Sequence, residues 1–164
     1  MEGFSIINNI IWQKTNPSPN LACRCFTHST ETVIWARKQL TEKKKGKHTF
    51  NYKLMKEQNH GKQMKDVWNF DDIEPEFYIS SVTPQSEKKE GRHPTQKPVG
   101  LLKRIIEAST NEGDLILDPF NGSGTTGIAA KILNRRYIGL EQEEEYLKLS
   151  KRRYERIVLS LIHI

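Results

Sequence analysis

The hydrophobic and polar positions divide this chain into an irregular first half and a strongly periodic last third. Ile6 to Trp12 (IINNIIW) and Glu31 to Ala36 (ETVIWA) are short and rich in Ile, Val and Trp, and they predict two strands. Between them, KTNPSPNLACRCFTHST carries Asn16-Pro17 and Ser18-Pro19 steps, which impose an extended or turning loop. Residues 37–66 show no clear period, and Val67 to Phe70 (VWNF) is a short apolar island before a second polar stretch, 71–92.

From His93 the period becomes helical. Pro98 suits a first helical turn, where its missing N–H costs nothing. Leu101, Leu102, Ile105, Ile106 and Ser109 follow at helix spacing, and Gly113 is placed to close that helix. Leu115-Ile116-Leu117 is a continuous apolar run, the expectation for a parallel strand covered on both faces. A glycine-rich turn, a helix over Thr125 to Leu133, a strand over Tyr137 to Leu140 and a helix over Glu143 to Leu161 complete a βαβα series. The carboxy-terminal third is therefore expected to be α/β with a right-handed crossover.

Composition narrows the class further. At 164 residues the chain has room for one domain, and 35% hydrophobic content supports a core. No apolar run approaches the roughly 18 residues of a membrane span. The start, Met1-Glu2-Gly3-Phe4, has neither a basic nor a long apolar signal segment, so a cytoplasmic location of bacterial type is expected. Cys23 and Cys25, even with His28, are too few for a zinc site or a disulfide framework, and no metal is expected. The net charge of +6 is concentrated: residues 37–66 hold ten Lys or Arg against three acids. Such a block suits a phosphate backbone, because neutralised phosphates release counterions; alone it fits a solvated lysine-rich loop equally well.

The chemistry is concentrated in Asp118-Pro-Phe-Asn-Gly122-Ser-Gly124-Thr-Thr-Gly127, which follows a strand and opens a helix. Its glycines permit close approach of a ligand, and the helix amino terminus offers unpaired N–H groups to an anion such as a carboxylate. Asp118, at a strand end, can receive an ammonium group or order a water, and Phe120 can lie beside a bound cofactor. Glu141, at the end of the next strand, can accept from two ribose hydroxyls. GSGTTG also matches G-x-G-x-x-G, with Glu141 19 residues past Gly122, so a nicotinamide-dinucleotide oxidoreductase fragment is a rival. Pro119 to Asn121 widen the turn, and only 23 residues follow Glu141, both against that rival.

His93-Pro-Thr-Gln-Lys-Pro98 precedes this motif by twenty residues. With both motifs in view, nearly the whole chain resembles the site-specific DNA amino-methyltransferases of restriction–modification systems, in their permuted (beta-class) form. Trp12 to Pro17, Thr30-Glu31 and Trp35-Ala36 support the likeness more weakly. The resemblance implies S-adenosylmethionine as cofactor, bound in an incomplete Rossmann-like sheet that lacks its upstream central strands. It places His93, Thr95, Gln96, Lys97, Asp118, Phe120, Gly122, Ser123, Gly124 and Thr125 around the cofactor, and Glu141 at its ribose. It implies double-stranded DNA as partner, with Lys14, Asn16, Arg24, Lys43, Lys44, Lys45 and Lys47 as candidate contacts.

The family's catalytic Asp/Asn/Ser-Pro-Pro-aromatic tetrapeptide, which grips the flipped base, has no counterpart: no two of the seven prolines are adjacent. The chain is thus expected to be the carboxy-terminal part of a methyltransferase acting on a base amino group, adenine favoured over cytosine. Alone it is expected to be inactive or to depend on an amino-terminal half or a homodimer mate. A non-catalytic DNA-binding module is the third reading. The expected organisation is hairpin strands in 1–36, a basic recognition-like region in 37–75, a linker in 76–92 and a cofactor-binding subdomain in 93–164.

Overall fold

The computed structural model describes residues 3–14, 17–39, 41, 45–69 and 85–162. The chain divides into two compact units, Met1–Val82 and Thr83–Ile164.

In the first unit, β1 (Phe4–Gln13) and β2 (Thr30–Lys38) form an antiparallel pair that places Trp12 opposite Glu31 and Ile10 opposite Val33. The register shifts between Ile6 and Asn8. β3 (Val67–Trp68) pairs in parallel with β1, giving the order β2-β1-β3. Only these two residues of the VWNF island form a strand, and Phe70 lies outside the described residues. Alternation sends Ile10 and Trp12 to one face of β1, and both are buried, as are Trp68 and Met55. Met55 lies on α1 (Tyr52–Glu57), a helix inside the basic stretch for which the sequence pattern carried no signal. Trp35 meets the rings of His48 and Phe50 at 5.7 and 5.4 Å.

The second unit holds α2 (Val99–Ser109), β4 (Leu115–Asp118), α3 (Thr125–Ile132), β5 (Arg136–Gly139) and α4 (Glu144–Ile162), with β4 and β5 parallel. This is the expected Rossmann-like βαβα arrangement. Ile106, Ala129 and Ala130 form its core, with Ile116, Leu133 and Tyr137 against them.

Two local expectations need correction. Gly113 does not close α2: the helix ends at Ser109, whose hydroxyl donates to the Ile105 carbonyl at 2.6 Å, and the Thr110 hydroxyl donates to that of Ile106 at 2.7 Å. These side chains satisfy last-turn carbonyls without a glycine cap. Gly113, at φ +80°, makes the later turn into β4. Nor is β4 covered on both faces. Ile116 faces the core, but Leu115 and Leu117 are exposed, as are Ile138 within β5 and Leu140 just beyond it. The apolar run is continuous, yet its burial alternates, because the core cluster lies on the Ile116 and Tyr137 side alone. No described helix is long and apolar enough to cross a membrane.

Candidate functional site

The second unit builds its cleft where β4 and β5 end. The ladder continues past both strands: the Leu140 N–H donates to the Asp118 carbonyl and the Asn121 N–H to the Leu140 carbonyl, both at 2.9 Å. Those two bonds fold the glycine-rich turn over the end of β5 and bring Gly122 beside Glu141. The Gly122 N–H then donates to Glu141 Oε2 at 2.7 Å, and the Glu143 N–H donates to Oε1 at 3.0 Å. The Glu143 amide, and then that of Gly122, hold this carboxyl below the ordinary glutamate range. Glu141 is thus a fixed, ionised acceptor at the mouth of the turn.

His93 stands against the same turn. Gly122 has φ +50°, which favours glycine, and a Cβ there would lie 3.3 Å from His93 Nε2, so a side chain would also press on the imidazole. The His93 ring meets Tyr146 edge-on at 4.2 Å, and its Nδ1 accepts from the Thr95 N–H at 3.2 Å. His93, Thr95, Phe120, Glu141 and Tyr146 line a cleft of about 660 Å³, with Phe120 88% exposed at its edge.

Other residues singled out in the sequence make contacts within the second unit. Asp118 accepts from the Thr126 hydroxyl at 2.7 Å and from the Phe120 N–H at 3.0 Å, so its carboxylate braces the turn from within. Ser123 and Thr125 are buried, and Arg153 donates to the Ser123 carbonyl and to Thr125 Oγ1. Gly124, at φ +74°, makes room for a helix: its Cβ would stand 2.7 Å from the Cβ of Ser150 on α4. Gln96 turns its amide to the Glu87 carbonyl at 3.0 Å, and Lys97 is half buried.

Three residues that sequence reasoning passed over complete the setting. The Tyr137 hydroxyl donates to Asn121 Oδ1 at 2.6 Å, and burial, with the Asp118 charge, pushes its pKa well above the ordinary tyrosine value and keeps it protonated. Arg153 is 2% exposed. Its position four residues after Leu149, on the apolar stripe of a charged helix, was the available signal.

The candidate DNA contacts lie in the other unit. Lys14 pairs with Glu31 at 2.7 Å and sits 3.7 Å over the Trp12 ring. Arg24, Lys45 and Lys47 are exposed, whereas Asn16, Lys43 and Lys44 lie outside the described residues. Among the described residues no cluster of His, Cys, Asp or Glu is arranged to hold a metal.

The parallel βαβα order and the cleft over its strand ends define a Rossmann-like α/β protein. Residues 1–152 match the N6_N4_Mtase model, described as DNA methylase, and the chain belongs to that family. This decides between the two readings of the glycine pattern, against the oxidoreductase. Among its relatives are the type II methyltransferases M2.DpnII of Streptococcus pneumoniae, 61% identical over 94% of this chain, and M2.LlaDCHI of Lactococcus lactis subsp. cremoris, 60% identical over 93%. The chain spans about half the length of these relatives, 53% and 52%. The solved M1.HpyAVI–SAM complex is 37% identical with a TM-score of 0.63, over 92% of this chain and 63% of that one.

Proposed function

We propose that the chain is the cofactor-binding part of a permuted-class DNA methyltransferase, which moves a methyl group from S-adenosylmethionine to a base exocyclic amine, adenine in preference to cytosine. The observation that carries this reading is Glu141, held by two backbone N–H groups at the rim of a cleft shared with His93 and Phe120. The residues present fit the cofactor's chemistry. A fixed carboxylate suits a ribose diol, an exposed phenyl ring suits a purine face, and His93 with Thr95 offers polar groups for an amino-acid end. Asp118 supports this arrangement through Thr126 and the Phe120 amide.

The sulfonium supplies an already activated methyl group when bound. What remains for the protein is alignment of donor and acceptor. Glu141 and Phe120 orient the nucleoside, and His93 and Thr95 the opposite end. The base-gripping tetrapeptide has no counterpart in this sequence, so we assign that role to a complementary methyltransferase segment. The basic stretch 37–66, with Lys45 and Lys47 exposed, is assigned to the DNA backbone, beside Arg24 of the hairpin loop.

The test is calorimetric titration of the chain with S-adenosylmethionine and, separately, with a nicotinamide dinucleotide. Binding of the first and not the second is expected, with Glu141→Gln weakening it. Binding of the dinucleotide alone would overturn the reading. Methyl transfer to DNA by this chain unaided would overturn the assignment of the base grip to another segment.

A further inference from the structure

Arg153 and Glu87 belong to none of the motifs, yet they tie both motifs together. Arg153 Nη1 donates to the Ser123 carbonyl and, at 3.1 Å, to the Thr125 hydroxyl, so it holds the second half of the glycine-rich turn. Its Nη2 lies 3.7 Å from Glu87 Oε2, with the two side chains 3% and 19% exposed. The Glu87 carboxylate in turn accepts from the Val99 N–H at 3.2 Å, where α2 has no side-chain cap from Pro98. The Glu87 backbone carbonyl accepts from Gln96 of the His93–Pro98 segment.

Neighbouring arginines hold the same stretch to α4. Arg156 donates to the Ser86 carbonyl at 3.0 Å and pairs with Glu90 at 3.4 Å, and Arg152 reaches the Glu90 carbonyl. α4 itself lies directly on the turn, with Ser150 filling the place of a Gly124 side chain. The result is a continuous polar path from Thr125 through Arg153 and Glu87 to Val99 and Gln96.

A buried ion pair adds little net stability, since desolvation offsets attraction, but losing one partner strands the other. Its value lies in fixed geometry. Arginine offers a rigid fork that reaches the turn with one nitrogen and Glu87 with the other, which lysine cannot do.

We propose that Arg153 and Glu87 are positioning residues that hold the glycine-rich turn and the His93–Pro98 segment in register for the cofactor. This rests on the cofactor reading above. The test compares Arg153→Lys, Arg153→Met and Glu87→Gln in the full chain by calorimetry with S-adenosylmethionine, thermal unfolding, and amide NMR. Arg153→Met is expected to weaken the cofactor about tenfold, as for loss of a charged hydrogen bond. Arg153→Lys, which keeps the charge and loses the fork, should fall between it and the unmodified chain. Combining Arg153→Met with Glu87→Gln should cost less than the sum of the two.

Folded variants that all bind within twofold of the unmodified chain would overturn the proposal. Should Arg153→Met fail to fold, Arg153→Lys and Glu87→Gln carry the same comparison. If the unmodified chain takes no cofactor, the cofactor reading fails separately, and the NMR arm decides the register. Arg153→Lys must then shift the amides of Ser123 and Thr125 together with those of Gln96 and Val99, and shifts confined to the turn would overturn it.

Discussion

Gly127→Ala sets two physical effects against each other. Gly127 lies inside α3, where alanine is favoured over glycine by about 0.5–1 kcal/mol. But its Cβ would stand 2.5 and 2.8 Å from Cε1 and Cδ1 of Tyr137. Those are ring atoms of a partly buried side chain whose hydroxyl is bound to Asn121 at 2.6 Å. The absence of a side chain at Gly139 leaves room for that hydroxyl, since a Cβ there would lie 2.6 Å from it. Relief therefore requires a shift of α3 or release of the Asn121 bond. Overpacking typically costs about 1–3 kcal/mol, and the bond contributes about 1 kcal/mol more. Setting the propensity gain against these leaves a net loss of about 2 kcal/mol. For a unit of this size that lowers Tm by about 8–16 °C. Thermal unfolding followed by circular dichroism measures it, with Tyr137→Leu as the companion variant. The double variant should lose less than the two single changes together, since the leucine removes the obstructing ring. A Gly127→Ala chain as stable as the unmodified one would refute the reasoning and show that the ring yields freely.

The remaining predictions concern charge and backbone. In an NMR titration the Glu141 carboxyl is expected to have its midpoint below the ordinary glutamate value, because Glu143 and Gly122 donate to the ionised form. Its contribution to stability is therefore present above the unfolded pKa and lost as pH falls through the lower folded one; a midpoint at or above the ordinary value contradicts this. Tyr137 is displaced the other way by burial and Asp118, so its contribution is lost as pH rises through the folded pKa. Tyr137→Phe should leave the native phenolate absorbance unchanged at about pH 10, where ordinary tyrosines ionise. Gly124→Ala should destabilise more than Gly61→Ala: both sites have positive φ, but only Gly124 has a neighbour in the way, Ser150 at 2.7 Å. Equal melting temperatures would show that conformation alone matters there.

The strands, the order of the last third and the two motifs were legible because each rests on a short-range signal. Ile10 and Trp12 share one strand face at a spacing of two, and Pro98 marks a helix start wherever the chain later goes. What escaped depends on residues distant in sequence. Gly124 makes room for Ser150, and Gly127 for a ring on the following strand, so neither glycine's packing role can be deduced from the motif alone. Glu87 sat in a stretch read as linker, although its carboxylate stands in for a helix cap 12 residues away. Arg153 looked like one more cation on a charged helix until its partners at the turn were known. β4 misled for the opposite reason: an apolar run indicates what could be covered, not what is.

That uncovered side of the parallel pair has a practical consequence. Leu115, Leu117, Ile138 and Leu140 leave water in contact with a surface that folded monomers normally hide. A neighbouring copy that associates with it binds the folded chain, whereas a detergent or apolar dye also binds the unfolded one, and either shifts the folding equilibrium. Mass action then makes the measured melting point a property of the solution as well as of the molecule. Stabilities of variants are therefore comparable only at matched protein concentration and without apolar additives.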